Sequence, residues 1–107
     1  MSTSYLTEMT FFERFVADIL SGKKVITIRD ESENNFLVGS TVEVSTFEEN
    51  RWFCRLKINS VEPIQFEQLT DYHATQENMT LTELKQVISD IYPGITKLWV
   101  ISYQRVD

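Results

Sequence analysis

Two runs of alternating apolar and polar residues, joined by a short polar turn, place the strongest limit on how this chain can fold. The runs are Thr41 to Phe47 and Trp52 to Val61, and the polar residues 48–50 lie between them. Because successive side chains of a strand point to opposite faces, each run predicts a strand with one apolar face. The sequence therefore predicts an antiparallel hairpin.

Two other stretches have the pattern of amphipathic helices. Thr10 precedes Glu13 by three residues, which is the spacing of a capping box. Thr80 and Glu83 have the same spacing. Each box is followed by apolar residues at helical spacing and then by a glycine that ends the stretch. The apolar positions are Phe12, Phe15, Val16, Ile19 and Leu20 in the first stretch and Leu81, Leu84, Val87, Ile88 and Ile91 in the second. The sequence therefore predicts two principal helices.

Three further elements complete the predicted fold. Val25 to Arg29 is rich in β-branched residues and Lys97 to Gln104 alternates, so both predict strands, while Phe66 to Tyr72 predicts a short helix. Pro63 ends the second hairpin strand or places it at an edge, since proline cannot donate to a ladder. We expect one small α+β domain that spans the whole chain, with residues 1–9 loosely held and a sheet that can curl into a barrel.

Composition excludes several classes of site. The chain has 107 residues, enough for one hydrophobic core without disulfides or metals. Its one cysteine and one histidine leave no plausible zinc set of the usual kind, and we expect neither a metal nor a cofactor. No run approaches the roughly 18 apolar residues of a membrane span. No charged segment followed by an apolar run opens the chain, so we expect a cytoplasmic protein without membrane contact.

The charge balance bears on the kind of partner. Ten Lys and Arg residues against 16 Asp and Glu residues give a formal net charge of -6, which opposes binding to long polyanions. Lys23, Lys24 and Arg29 still form a local basic cluster in the sequence. We therefore expect a small-molecule or single-nucleoside site before an extended nucleic-acid groove.

The strand from Val25 carries the first candidate chemistry. Alternation places Ile26 and Ile28 on one face and Thr27 and Arg29 on the other, so a hydroxyl lies beside a guanidinium. Lys24 could serve as a base for Thr27 if burial or a neighbouring cation lowers its pKa. Residues three apart in a strand point to opposite faces, so this pairing requires Lys24 to lie in the turn before the strand. From spacing alone, a solvated Lys24 and a structural Thr27 are the favoured reading.

Other candidates are single residues. Glu77, just before the second capped helix, could donate a proton to a leaving nitrogen if partial burial raises its pKa, or it could be a solvated loop residue. His73 has the pKa of an acid or base, although a lone histidine usually has no such role. Cys54 falls on the apolar face of its strand and is read as core. Trp52 and Trp99 could stack on a base, but aromatic residues of alternating strands mostly fill cores.

Several longer motifs carry a resemblance to a known family. They are F-F-x-R-F (Phe11 to Phe15), D-I-L-x-G-x-K (Asp18 to Lys24), I-T-I-R-D-E-S-E (Ile26 to Glu33), Q-E-N-M-T-L-T-E-L-K (Gln76 to Lys85) and D-I-Y-P-G (Asp90 to Gly94). From Thr10 to Tyr103 the chain closely resembles the small single-domain ASCH proteins that act as bacterial N(4)-acetylcytidine amidohydrolases. The resemblance implies a PUA-like β-barrel with flanking helices. It also implies a metal-free hydrolysis of the acetyl amide to cytidine and acetate.

The resemblance also implies roles for individual residues. Carried over by motif, Lys24 is the base, Thr27 the nucleophile and Glu77 the proton donor. Arg29, or backbone N–H groups near the following loop, are candidates for binding the oxyanion. The substrate is then a small nucleoside.

An alternative comes from another class of protein. Because PUA-like domains are often suspected of binding RNA, the chain could be a non-catalytic module that reads RNA or a modified nucleoside through the same cleft. The acidic charge disfavours a long RNA contact but does not oppose a single flipped or terminal nucleotide.

Overall fold

The centre of the molecule is a five-stranded sheet. The computed structural model describes residues 4–106. The strands are β1 (Glu8–Phe11), β2 (Ile26–Arg29), β3 (Thr41–Thr46), β4 (Trp52–Gln65) and β5 (Lys97–Arg105). Their order across the sheet is β1-β3-β4-β5-β2. β1 runs parallel to β3, and the other neighbours are antiparallel, including the predicted β3–β4 hairpin.

Within residues 4–106, three α-helices accompany the sheet, where the sequence predicted two principal ones. They are α1 (Val16–Ser21), α2 (Asp71–Gln76) and α3 (Leu81–Ile91), and single turns of 3-10 helix lie at Glu13–Phe15, Glu31–Glu33 and Phe66–Gln68. The capping box before α3 is confirmed: Glu83 N donates to Thr80 Oγ1 at 3.2 Å and Thr80 N donates to Glu83 Oε1 at 3.1 Å. The predicted short helix after β4 is divided, since a 3-10 turn and α2 are separated by residues 69–70.

The first predicted capping box is wrong. Thr10 lies in β1, and Phe12 occupies the cap position of the following 3-10 turn without a side-chain hydrogen bond. Met9 and Phe11 alternate with polar neighbours and are buried, because β1 pairs with β3 through Met9–Val44 and the residues on either side. This long-range pairing outweighs a local cap. Glu8 and Met9, at the end of the segment 1–9 that we expect to be loosely held, belong to β1, and residues 1–3 lie outside the described residues.

β4 is longer than predicted and includes Pro63. β3 pairs with β4 only as far as Lys57, so Pro63 has a strand neighbour on the β5 side, where it lies opposite Trp99. A proline fits there because no ladder to β3 needs its missing N–H. The edge position expected for Pro63 is confirmed.

The apolar residues form two cores on opposite faces of β5. Ile101 and Tyr103 belong to the larger core with β1, β3, β4 and α1. Leu98 belongs to the other core, which joins Ile26 and Ile28 of β2 to α2 and α3. Thr27 therefore points away from the second core, as the alternation predicted.

The sheet curls without closing. Across the described strands, β1 and β2 are the two ends of the order and share no ladder, so the α+β fold is confirmed while the word barrel applies loosely. At one point a side chain spans this opening: Arg29 Nη2, at the end of β2, donates to the Thr10 carbonyl of β1 at 2.7 Å. We call the opening between β1 and β2 the seam.

Candidate active site

A cavity of about 370 Å³ lies along the seam. Its polar lining includes the side chains of Lys24, Thr27 and Glu77, together with Arg29 and Glu33. Aromatic side chains line it from the β1 side, namely Phe11, Phe12, Phe15 and Phe47. The apolar face of α3 lines it from the other side, together with Tyr92 at the end of that helix. The cavity thus combines a few polar groups with mostly apolar walls, as small-molecule sites commonly do.

Lys24 reaches this cavity because of a turn. α1 ends at Gly22, whose φ of 80° is left-handed, and the backbone N–H of Lys24 donates back to Asp18 O at 3.0 Å. β2 begins only at Ile26, so Lys24 precedes the regular pleat. The geometric objection to a Lys24–Thr27 partnership is thereby removed, since both side chains line one cavity.

The Lys24 side chain is enclosed. It is 3% exposed, its Nζ donates to Ile26 O at 2.8 Å, and it forms an ion pair with Glu77. The rings of Phe11 and Phe15 lie 5.6 and 5.2 Å from Nζ. Burial lowers the pKa of Lys24 well below its ordinary value, and the Arg29 guanidinium lowers it further, while Asp18 opposes the shift. The amine is therefore biased toward its neutral form.

Thr27 is held by Arg29. The threonine is 4% exposed, and Arg29 Nε donates to Thr27 Oγ1 at 2.8 Å. Since Oγ1 accepts this bond, its own hydrogen remains available for another acceptor. A cationic donor on Oγ1 also favours negative charge on that oxygen.

Glu77 is brought to Lys24 by the end of α2. It is the C-cap residue of α2 and is 5% exposed, and the next residue, Asn78, has a left-handed φ of 58°. The backbone N–H of Val25 donates to Gln76 O at 2.9 Å, which ties the start of β2 to the end of α2. Lys24 and Glu77 thus meet because their neighbours in sequence are hydrogen-bonded.

The other candidates lie elsewhere. His73 Nδ1 accepts from Thr70 N at 3.1 Å and so caps α2. Cys54 is fully buried in the larger core, as predicted. Trp52 is 47% exposed, Trp99 is half-buried, and neither lines the cavity.

Two polar lining residues were not singled out by sequence reasoning. Glu33 forms an ion pair with Arg29, and Tyr92 donates to Glu33 Oε1 at 3.1 Å. The spacing of Arg29 and Glu33 was a usable signal, because oppositely charged residues four apart meet when the backbone turns helically. Tyr92 gave no such signal, since 59 residues separate it from Glu33.

Within residues 4–106, no group of three or more His, Cys, Asp or Glu residues has an arrangement suited to a metal ion. Within the same range, no helix is both long and apolar enough to cross a membrane.

Sequence comparison with known proteins places the chain in one family. Residues 4–87 match the family model described as the ASCH domain. A Vibrio vulnificus protein named N(4)-acetylcytidine amidohydrolase is 68% identical over 100 residues, covering 94% of this chain and 96% of that protein. A Shewanella putrefaciens protein of the same name is 54% identical over 98 residues, covering 92% of this chain and 95% of that protein.

Solved structures agree on the fold. The ASCH domain of Lactobacillus crispatus superposes with a TM-score of 0.74 at 16% identity, covering 94% of this chain and 80% of that one. ASCH from Zymomonas mobilis gives a TM-score of 0.72 at 13% identity, covering 92% and 68%. At such identities the likeness concerns the fold alone. From the family match and the extent of the sequence identity, the chain belongs to the ASCH domain family.

Proposed function

We propose that this chain is an amidohydrolase that cleaves the acetyl amide of N(4)-acetylcytidine to cytidine and acetate. The observation that carries the proposal is the buried Lys24–Glu77 pair in the same cavity as Thr27. The names of the relatives at 54% and 68% identity support the same reaction. A neutral nucleoside also suits a protein of net charge -6 with a largely apolar cavity.

In the proposed first step, Lys24 is the base and Thr27 the nucleophile. Neutral Lys24 takes the hydroxyl proton of Thr27 while Oγ1 attacks the acetyl carbonyl carbon, and a C–O bond forms. The lowered pKa of Lys24 supports this role, since an amine at its ordinary pKa would hold its proton. Arg29 Nε, already 2.8 Å from Oγ1, stabilises the charge that develops on that oxygen.

Glu77 is the proposed proton donor. Two buried charges in contact carry a large desolvation cost, which the pair avoids when the shared proton resides on the carboxyl group and Lys24 is neutral. In that state the pair has the base and the acid that the reaction needs. Glu77 protonates the cytosine nitrogen as the C–N bond breaks, and the protonated Lys24 can then restore the proton on Glu77.

Water completes the proposed cycle. It attacks the acyl-threonine carbonyl carbon while neutral Lys24 takes one of its protons. The ester C–O bond then breaks, Lys24 passes that proton to Thr27 Oγ1, and the acetic acid that leaves loses its remaining proton to solvent as acetate. The oxyanion of each tetrahedral intermediate needs hydrogen-bond donors. Three nitrogens of Arg29 already contact Thr27, Glu33 and the Thr10 carbonyl, so we assign Arg29 mainly to holding Thr27.

Turnover by the purified protein is the direct test. Chelator-treated protein is incubated with N(4)-acetylcytidine, and cytidine and acetate are measured beside a Thr27→Val variant, which removes the hydroxyl and retains the shape. We expect equal release of both products by the wild type and none by the variant. Binding of the nucleoside without release would instead favour the non-catalytic reader, and residual turnover by Thr27→Val would mean that water attacks directly. The cytoplasmic location is part of the same proposal.

A further inference from the structure

A chain of polar contacts extends from Thr27 across the seam to α3. Arg29 Nε donates to Thr27 Oγ1 at 2.8 Å, and Arg29 Nη1 forms an ion pair with Glu33 Oε2. The other oxygen of Glu33, Oε1, accepts from the hydroxyl of Tyr92 at 3.1 Å. Three side chains, those of Arg29, Glu33 and Tyr92, therefore connect the candidate nucleophile to the C-terminal end of a helix.

The guanidinium of Arg29 is held by contacts along the seam. Arg29 is the last residue of β2, at the edge of the sheet, and its guanidinium extends along the seam to the Thr10 carbonyl. The Phe11 ring lies 4.9 Å from the guanidinium carbon and covers one face of it. The angle at which Nε meets Thr27 thus depends on what binds the far end of the guanidinium.

Glu33 binds that far end, and Tyr92 restrains Glu33. The Glu33 side chain is 40% exposed, and partly exposed ion pairs usually lose much of their value to side-chain motion. The Tyr92 hydroxyl gives this carboxylate a second fixed contact. Tyr92 is itself half-buried beyond the end of α3, where its backbone N–H donates to Ile88 O at 2.8 Å, and Ile88 is anchored in the second core.

The Tyr92 hydroxyl is suited to this task. Burial, and then the nearby Glu33 carboxylate, raise the pKa of Tyr92 to about 12, so the hydroxyl keeps its proton and remains a donor. Because the Tyr92 hydroxyl keeps its proton near neutral pH, it can donate to Glu33 Oε1 throughout the reaction.

We infer that Glu33 and Tyr92 are positioning residues that hold Arg29 against the Thr27 hydroxyl and thereby fix the orientation of that hydroxyl in the cavity. This inference rests on the proposed role of Thr27. It assigns neither residue to contact with the substrate, and it makes α3 a support of the reacting oxygen as well as a wall of the cavity.

Kinetic constants test the inference through two variants that conserve charge. Tyr92→Phe removes only the hydroxyl, and Glu33→Asp keeps the carboxylate but shortens its reach. Losing a hydrogen bond of ordinary strength corresponds to roughly a fivefold effect, so we expect kcat to fall about fivefold in each variant with KM changed by less than about twofold. Tyr72→Phe is the matched control, because Tyr72 is 69% exposed on α2 and does not line the cavity. An unchanged kcat, or a raised KM at constant kcat, would overturn the inference.

A second measurement does not depend on turnover. Thr27→Cys places a thiol beside Arg29 Nε, and a neighbouring guanidinium lowers the pKa of a thiol. The pH at which iodoacetamide modifies this thiol at half-maximal rate is measured by peptide mass spectrometry, which separates it from Cys54. Adding Tyr92→Phe should raise that pH by roughly half a unit, about a threefold lower thiolate fraction at fixed pH, while adding Tyr72→Phe should not.

The two measurements separate the two proposals. Without turnover by the wild type, the proposed function fails and the thiol titration alone decides whether Tyr92 positions Arg29. With turnover but equal behaviour of Tyr92→Phe and Tyr72→Phe in both assays, the positioning role fails and the proposed function remains. Thermal unfolding of each variant serves as the check on folding.

Discussion

Two ion pairs of the molecule have similar chemistry and opposite surroundings. Lys24 and Glu77 meet inside the cavity, where their side chains are 3% and 6% exposed. Arg51 and Glu13 meet at the surface, with side chains 52% and 58% exposed and an Nη2–Oε2 distance of 2.8 Å. An exposed pair gains little because water screens both charges, whereas a buried pair must overcome desolvation. Stability alone therefore gives no reason for the buried pair, which agrees with the catalytic role proposed for it, whereas the exposed pair ties Arg51 to Glu13 at the surface.

The largest expected effect comes from removing one member of the buried pair. Glu77→Gln keeps the shape but cannot donate a proton, and Lys24→Met keeps the length but cannot accept one. Because a positioned acid or base contributes about 10²–10⁴-fold, we expect kcat to fall by that factor in each variant. Lys23→Met is the matched control, since Lys23 adjoins Lys24 but is exposed. Near-normal turnover by either active-site variant would place that acid or base elsewhere.

Replacing both members should stabilise the protein. In Lys24→Met/Glu77→Leu, apolar side chains of similar volume occupy the buried space, so that no ionisable group has to be either desolvated or neutralised there. We expect the free energy of unfolding to rise by about 1–4 kcal/mol, together with loss of activity. Urea unfolding of this double variant, of each single variant and of the wild type measures the change. A double variant less stable than both single variants would show that the pair stabilises the fold.

The buried lysine should also make the free energy of unfolding depend on pH. Its folded pKa is lowered. In Glu77→Gln, where no carboxyl group can hold the proton in place of Lys24, the unfolded chain therefore binds a proton that the folded chain does not between that pKa and about 10.4. Stability contributed by this group therefore rises with pH across that window. Subtracting the unfolding free energies of Lys24→Met/Glu77→Gln from those of Glu77→Gln at each pH isolates the rise, because neither protein has a carboxyl group at position 77. A flat difference curve would mean that the Lys24 pKa is not lowered, and Lys23→Met should retain the wild-type slope.

The smallest effect is expected at the exposed pair. Arg51→Gln removes its charge, and we expect the free energy of unfolding to change by less than about 1 kcal/mol, with less change at high salt. Turnover should stay within about twofold of wild type. Unfolding at two salt concentrations and the cytidine assay check both statements, and a large loss of activity would show that the tether between Glu13 and Arg51 shapes the cavity.

Local patterns allowed much of the fold to be predicted from sequence. The Thr80–Glu83 box and the β3–β4 hairpin depend on residues close together in the chain, and both are confirmed. The Thr10 cap failed because β1 pairs with β3, more than thirty residues away, and no local rule contains that partner. The open sheet could not be read from strand patterns either, since alternation does not specify closure.

The candidate site likewise contains residues that local spacing could predict and residues whose positions depend on distant partners. Spacing suggested that Thr27 and Arg29 share a face, and the Nε–Oγ1 bond agrees. Strand spacing argued against a partnership of Lys24 with Thr27. That argument did not apply, because Lys24 lies in the turn after Gly22 and not in the strand. Glu77 was assigned by resemblance to a family, and its contact with Lys24 depends on the Val25–Gln76 hydrogen bond between distant segments. Tyr92 was missed for the same reason of distance.

The seam also bears on how the two edge strands of the sheet are exposed. The outer edges of β1 and β2 lack a ladder partner within residues 4–106, and unpaired strand edges are templates onto which other chains can add. Here the curl of the sheet brings the two edges within reach of one arginine side chain, so that neither edge presents a long, flat surface. We therefore expect the two edges to be poor templates for a strand from a second copy, because each lies beside the other across the seam.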